Sequence, residues 1–335
     1  MTQLIVSALL WVLVASLLIL RRGRTDRSIL WSALTIAVAM TLSTDSVYRP
    51  VDLLLGGGNL VTLAADLALM VGIFFLGRAI AKATEYRPRI VRLALGRTVL
   101  VVALVSAVVA FALIDRGVTT TTFMLDYGAQ PAAAAYSVIQ FAYDGIVLTA
   151  MAAVATRQVR LSEGVDRLPA VSLLIGSALG LGLVAVVVAM DIAHLSGNVS
   201  LMLRLGAAYS PLVLSTFVFL CVGLASQPAI RWLRARSRAR ATSELVSQTA
   251  PIWQRANRVR PGMSQQNAAG FSAADAETRL HRQLVEIRDA AVDPRVSFAL
   301  SEAERLLVEA AEAHLLGSGS GVYAPSQGVP ARVIR

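Results

Sequence analysis

A single cysteine, Cys221, stands in 335 residues, so neither an intramolecular disulfide nor a cysteine-based metal cluster can form. Histidine is nearly as scarce. His194, His281 and His314 fall in segments assigned below to different sides of a membrane or to the tail, so no metal site and no cofactor is expected. Lys82 is the one lysine among 31 basic residues, and arginine carries the rest of the positive charge. Charged residues make up only 16% against 56% hydrophobic, outside the soluble globular range, and the apolar residues gather in blocks. The net charge of +10 sits on arginines flanking those blocks and not on a basic face interleaved with aromatics. That pattern points to anionic lipid head groups and away from nucleic acid.

Seven blocks approach the length of about 17 to 25 residues that crosses roughly 30 Å of hydrocarbon. They cover residues 4–20, 28–44, 60–81, 98–114, 132–156, 170–195 and 207–225. The first is followed, not preceded, by its positive charges and has no small-residue cleavage site, so it reads as a retained span. Arg21, Arg22, Arg24, Arg27, Arg78, Lys82, Arg87, Arg89, Arg92, Arg97, Arg157, Arg160 and Arg167 fill or flank alternate loops, whereas the other loops hold Arg49, Arg116 and Arg204. The asymmetry predicts an N-terminus outside and a C-terminus in the cytosol, in an all-α, multi-pass protein. The richness in Arg, Ala, Val and Leu resembles that of high-GC bacterial chains, which places it in a bacterial plasma membrane.

The outer loops carry Tyr48-Arg49-Pro50, Gly56-Gly57-Gly58, a threonine run over 119–122 and Ser196-Gly197-Asn198, all read as polar turns. No Lys-Ser/Thr pair follows the three glycines, so they are not a phosphate-binding loop.

The expected organisation is a seven-helix transmembrane domain over 1–226, a basic juxtamembrane helix over 227–260, a linker over 261–271, a cytosolic helical hairpin over 272–316 and a disordered tail over 317–335. Arg231, Arg234, Arg236, Arg238 and Arg240 follow the last span, whose end Gln227-Pro228 marks. Such a helix suits an anionic inner leaflet, with Trp232 and Leu233 dipping into it. Ser272 and Asp275 read as a capping box for a first hairpin helix with a seam through Leu280, Leu284, Ile287 and Ala291. Asp293-Pro294 predicts the start of a second, running through Val296, Leu300, Ala303, Leu307 and Ala310 to a stop at Gly317. The hairpin is expected to pack on the basic helix or on a second subunit, and to offer a surface for a cytosolic protein partner.

The segment Arg279-Leu280-His281-Arg282-Gln283-Leu284-Val285-Glu286-Ile287-Arg288-Asp289 resembles a stretch of the cytosolic domain of an uncharacterised actinobacterial membrane family. Members of that family have seven spans, an arginine-rich exit and this helical domain, and the family is often labelled a transporter. The resemblance implies topology more directly than chemistry.

Polar residues inside the spans are few, and each needs a reason. Tyr136, Gln140 and Asp144 recur every fourth residue in the fifth span, with Tyr143 beside them, so one helical stripe is polar. Asp66 lies in the third span, and Asp191 with His194 near the outer end of the sixth. An acid at the bilayer centre costs about 2.5 to 3.5 kcal/mol and persists only with partners or water. These residues are therefore candidates for a polar path or pocket, with Asp144 as coupling group. The plainer reading makes Asp144 interhelical glue. Gly176 and Gly180 form a small-residue face for helix packing.

Enzyme readings fail on the residues. Tyr143-Asp144 is half of an intramembrane aspartyl protease signature, but Gly180-Leu181-Gly182 is followed by Leu183 where the second acid would stand. Ser177 and His194 on one helix are separated by about 25 Å, too far for a dyad. A retinal pump needs a lysine in its last span, and Lys82 is not there. His281 is followed by too little chain for a kinase domain. The expectation is a transporter of a small solute or a proton-coupled permease, not an enzyme; the alternative is a membrane sensor or scaffold acting through the C-terminal helices.

Overall fold

The computed structural model describes residues 2–20, 28–83, 88–259 and 275–319, and among these it is helical, with no strand. The linker over 261–271, Ser272 and most of the tail lie outside the described residues. The helices are α1 (Thr2–Leu20), α2 (Ser28–Leu42), α3 (Asp45–Leu54), α4 (Leu60–Ala83), α5 (Arg89–Ala94), α6 (Arg97–Ala112), α7 (Phe123–Tyr127), α8 (Pro131–Leu161), α9 (Leu168–Leu195), α10 (Val199–Val259), α11 (Ala276–Val292) and α12 (Glu302–Gly319). Two compact units divide between Arg231 and Trp232.

Among the described residues four helices are long and apolar enough to cross a membrane, Leu60–Lys82, Pro131–Leu161, Gly164–Leu195 and Val199–Val259, and a fifth span is obtained if the bent pair α2 and α3 is one. Helices α1 and α6 are apolar but shorter. The surface is inverted relative to a soluble protein: Val12, Ile19, Val101, Val102, Val105 and Val109 are exposed, while Tyr136, Gln140 and Asp144 are buried. Such an apolar girdle is what a bilayer covers.

Close approaches set the register. Gly72 lets α2 against α4, where an added Cβ would lie 2.4 Å from Ile36 Cγ1, and Ser32 Oγ donates to the Gly72 carbonyl at 2.6 Å. Asp66 meets Tyr136 and Gly77 abuts Val147, so α4 and α8 run parallel. Gly145 abuts Val184 and Gly180 abuts Leu148, which makes α8 and α9 antiparallel. Gly176 against Leu220 and Gly223 against Leu173 make α9 and α10 antiparallel in turn. The small-residue face on α9 is thus a packing face, as its spacing implies.

Two segments depart from expectation. Tyr48-Arg49-Pro50 is not a turn but lies inside α3, which bends from α2 by 84°. Pro50 is the sixth residue of α3, so the Ser46 carbonyl goes without the intrahelical N–H it would otherwise accept from. Gln227-Pro228 does not break the helix either; α10 continues through Pro228.

The second unit has its own core: Leu280, Leu284, Ile287 and Ala290 of α11 meet Val308 and Ala311 of α12 and Ile252 and Ala256 of α10. The hairpin therefore packs on the part of α10 that follows the arginine run. Thr249 Oγ1 donates to Gln283 Oε1 at 2.7 Å inside this core, Trp253 Nε1 donates to Glu286, and Arg288 makes a two-pronged pair with Glu312 at 2.7 and 2.8 Å. The distinctive residues of the segment from Arg279 to Asp289 are thus largely occupied in holding three helices together.

Helix starts differ from the sequence reading. Asp275 itself caps α11 by accepting from Thr278 N. Asp293 closes α11 instead of opening α12, its backbone N–H bonding Asp289 O and its side chain accepting from Arg295 N. α12 opens eight residues later on a reciprocal box, in which Ser301 N donates to Glu304 Oε2 and Glu304 N donates to Ser301 Oγ. Gly317 is passed as α12 runs on to Gly319.

The hydrogen bond from Arg255, together with the Ser301 backbone N–H, holds the Glu304 carboxyl down at about 2, from an ordinary value of 4.5. A depressed carboxyl stabilises the fold above its unfolded value and loses that effect as pH falls through the folded one. Glu304→Gln is therefore expected to lower the thermal midpoint of the second unit at pH 7, with the gap closing between pH 4.5 and pH 2. A gap independent of pH would show that the carboxylate charge plays no part.

Candidate functional site

The polar stripe foreseen on α8 is present and turned inward: Tyr136 is 2% exposed, Gln140 4% and Asp144 4%. Its partner across the helix boundary is Asp66 of α4. Tyr136 Oη donates to Asp66 Oδ2 at 2.6 Å, Gln140 lies beside the same carboxyl, and Asp144 is near enough to feel its charge. Asp144 sits two turns below Tyr136 on α8, about 12 Å along the axis. Tyr143 Oη and Asp144 Oδ1 are buried with no hydrogen-bond partner.

Asp191 and His194 do not join this group directly. Asp191 is buried on α9 beside Ser137 of α8, although Ser137 Oγ and Asp191 Oδ2 form no hydrogen bond in strict geometry. His194 packs against the turn at Gly128, where an added Cβ would lie 2.8 Å from its Nδ1. The site accordingly divides into a central row (Asp66, Tyr136, Gln140, Tyr143, Asp144) and an outer pair on α9.

Sequence reasoning missed the cap above the row. Asp52 of α3, fully buried, accepts from Asn59 N at 3.0 Å, Val61 N at 3.1 Å and Thr119 Oγ1 at 2.6 Å. Asn59 holds a left-handed backbone at φ 62° and uses its Oδ1 to accept from Tyr48 Oη at 2.9 Å and from Thr120 N at 2.8 Å. Tyr48 Oη also bonds Thr62 Oγ1 at 2.7 Å, and Thr62 stands one turn above Asp66 on α4. Hydrogen-bonding groups thus descend from the outer loops through Thr62, Asp66, Tyr136 and Gln140 toward Asp144. The Thr62 to Asp66 spacing repeats the four-residue interval of the α8 stripe and was the available signal. Tyr209 of α10 is a further group within electrostatic range of Asp66.

Among the five arginines after the last span, Arg231, Arg234, Arg236 and Arg240 are exposed, and so are Trp232 and Leu233. Arg236 lies over the Trp232 ring at 5.2 Å, and Arg238 pairs with Glu277 at 3.5 Å. Arg279 keeps a buried Nε with no partner, while Arg282 bonds Glu286 at 2.9 Å. Among the described residues no group of three His, Cys, Asp or Glu side chains is placed to hold a metal ion. The row brings the carboxyls of Asp66 and Asp144 together with the phenols of Tyr136 and Tyr143, groups that can accept and donate protons. Set against family models, curated proteins and solved structures, the chain matches none.

Proposed function

We propose that this chain is a seven-span protein of the bacterial plasma membrane, N-terminus outside and C-terminus in the cytosol, that works as a proton-coupled permease for a small solute. The observation that carries the reading is the Tyr136–Asp66 hydrogen bond, with Gln140 beside it, standing over a buried carboxylate that has an unpartnered oxygen. A buried acid without a full set of partners is costly and belongs by default to a functional path. The loop arginine asymmetry and the antiparallel succession of α8, α9 and α10 support the topology. The resemblance of residues 279–289 to a family labelled as transporters agrees with it. Exposed arginines after the last span favour contact with an anionic inner leaflet.

A second reading is favoured by the separate core of the C-terminal unit: a sensor or scaffold whose three-helix unit serves a cytosolic partner or a second copy. Proteoliposomes distinguish the two. Solute or proton uptake by the purified protein under an imposed pH gradient supports the permease. No uptake, combined with capture of one defined cytosolic protein that is lost when residues 261–335 are deleted, supports the sensor.

A further inference from the structure

Hydroxyls within α-helices commonly bond the carbonyl one turn back, and several do so here: Thr41 to Ala37 O at 2.7 Å, Thr149 to Gly145 O at 2.7 Å and Thr156 to Ala152 O at 2.8 Å. Ser137, Ser177 and Thr216 forgo that bond and, though buried, find no other partner. All three lie on α8, α9 and α10, the same helices that surround Tyr143 and Asp144. Their heights follow from the register. Thr216 Cγ2 lies 3.3 Å from where a Cβ on Gly180 would stand, and the same Cβ would meet Leu148, one turn below Asp144. Thr216 therefore stands about 6 Å further in than Asp144, and Ser177, three residues along α9, about 4.5 Å beyond that. A dry, unpaired hydroxyl is destabilising, and two in succession beneath an unpaired carboxyl oxygen need a common cause.

We propose that Asp144 is a midpoint and not a terminus: a file of water continues from it between α8, α9 and α10, past Thr216 and Ser177, toward the face opposite the Asp52 cap. The outer half of the route is built from protein groups bonded to one another, and the inner half from protein groups bonded to water. This rests on the reading of Asp144 as a proton station, and it names the exit that reading otherwise lacks.

Cysteine accessibility tests the file apart from transport. In a Cys221→Ala background, Ser177→Cys and Thr216→Cys in membrane vesicles should react with a small hydrophilic thiol reagent about tenfold faster than Val147→Cys, which is equally buried but apolar. Reaction of both no faster than the Val147→Cys control overturns the proposal, whatever the wild type transports. Reaction without any wild-type flux leaves the water file standing and removes the permease. A second variant guards against disturbed folding: Thr216→Val should slow proton flux about tenfold with an unchanged thermal midpoint. Unchanged flux with a raised midpoint would mean the hydroxyl was dry, and would refute the file.

Discussion

Asp144→Asn is expected to reduce proton-coupled uptake into proteoliposomes by about 100-fold or more, because an amide matches the carboxyl in size but cannot take up and release a proton. The substitution is nearly isosteric, and Asp144 makes no ion pair that its loss would orphan. Protein yield and thermal midpoint should therefore stay close to wild type. Asp66→Asn is expected to be milder, since Tyr136 can still donate to the amide oxygen and Gln140 still lines the way. Graded loss, with Asp144 dominant, is the pattern of a relay whose decisive station is Asp144. Equal loss would place the decisive group at Asp66, and an Asp144→Asn variant with full uptake would return that residue to the role of interhelical glue. Downhill solute exchange at equal pH on both sides offers an internal control, since an uncoupled but open permease retains it.

The stripe was legible because the spans are so poor in polar residues that three of them at four-residue intervals define a face unaided. Burial of Tyr136, Gln140 and Asp144 followed from that spacing, as did the seam of Leu280, Leu284 and Ile287 in the C-terminal unit. The cap was not legible, because Asp52 finds its partners at Asn59, Val61 and Thr119, and no local pattern announces a contact with Thr119. Pro50 and the polar residues around it conceal α3, although its apolar residues gather on one face. At the C-terminal hairpin two start signals competed. Asp293-Pro294 looks the stronger, yet Asp293 is consumed in closing α11, and the Ser301 to Glu304 box, equally visible in the sequence, opens α12. The unpaired hydroxyls at Ser137, Ser177 and Thr216 are invisible in sequence, where a buried serine looks the same whether or not it bonds the turn behind it.

Asp52→Ala is expected to be the most destabilising single change in the first unit. Its carboxylate satisfies the backbone N–H groups of Asn59 and Val61 and the Thr119 hydroxyl, all from a fully buried position. Alanine removes the acceptor and strands those donors, a loss of about 3 to 5 kcal/mol, or roughly 10 °C in thermal midpoint for a unit of this size. Asp52→Asn should cost less, because one oxygen remains to accept and the Thr119 hydroxyl can turn to receive from the new amide. The damage should propagate: Asn59 is held at a positive φ by these contacts, and its side chain in turn positions Tyr48 above Thr62 and Asp66. Protease cleavage in the loop over 56–59 should therefore accelerate in Asp52→Ala. A variant whose midpoint and cleavage rate match wild type would mean that α3 is held by its apolar contacts, and that the cap above Asp66 is free to open without breaking the Asp52 network.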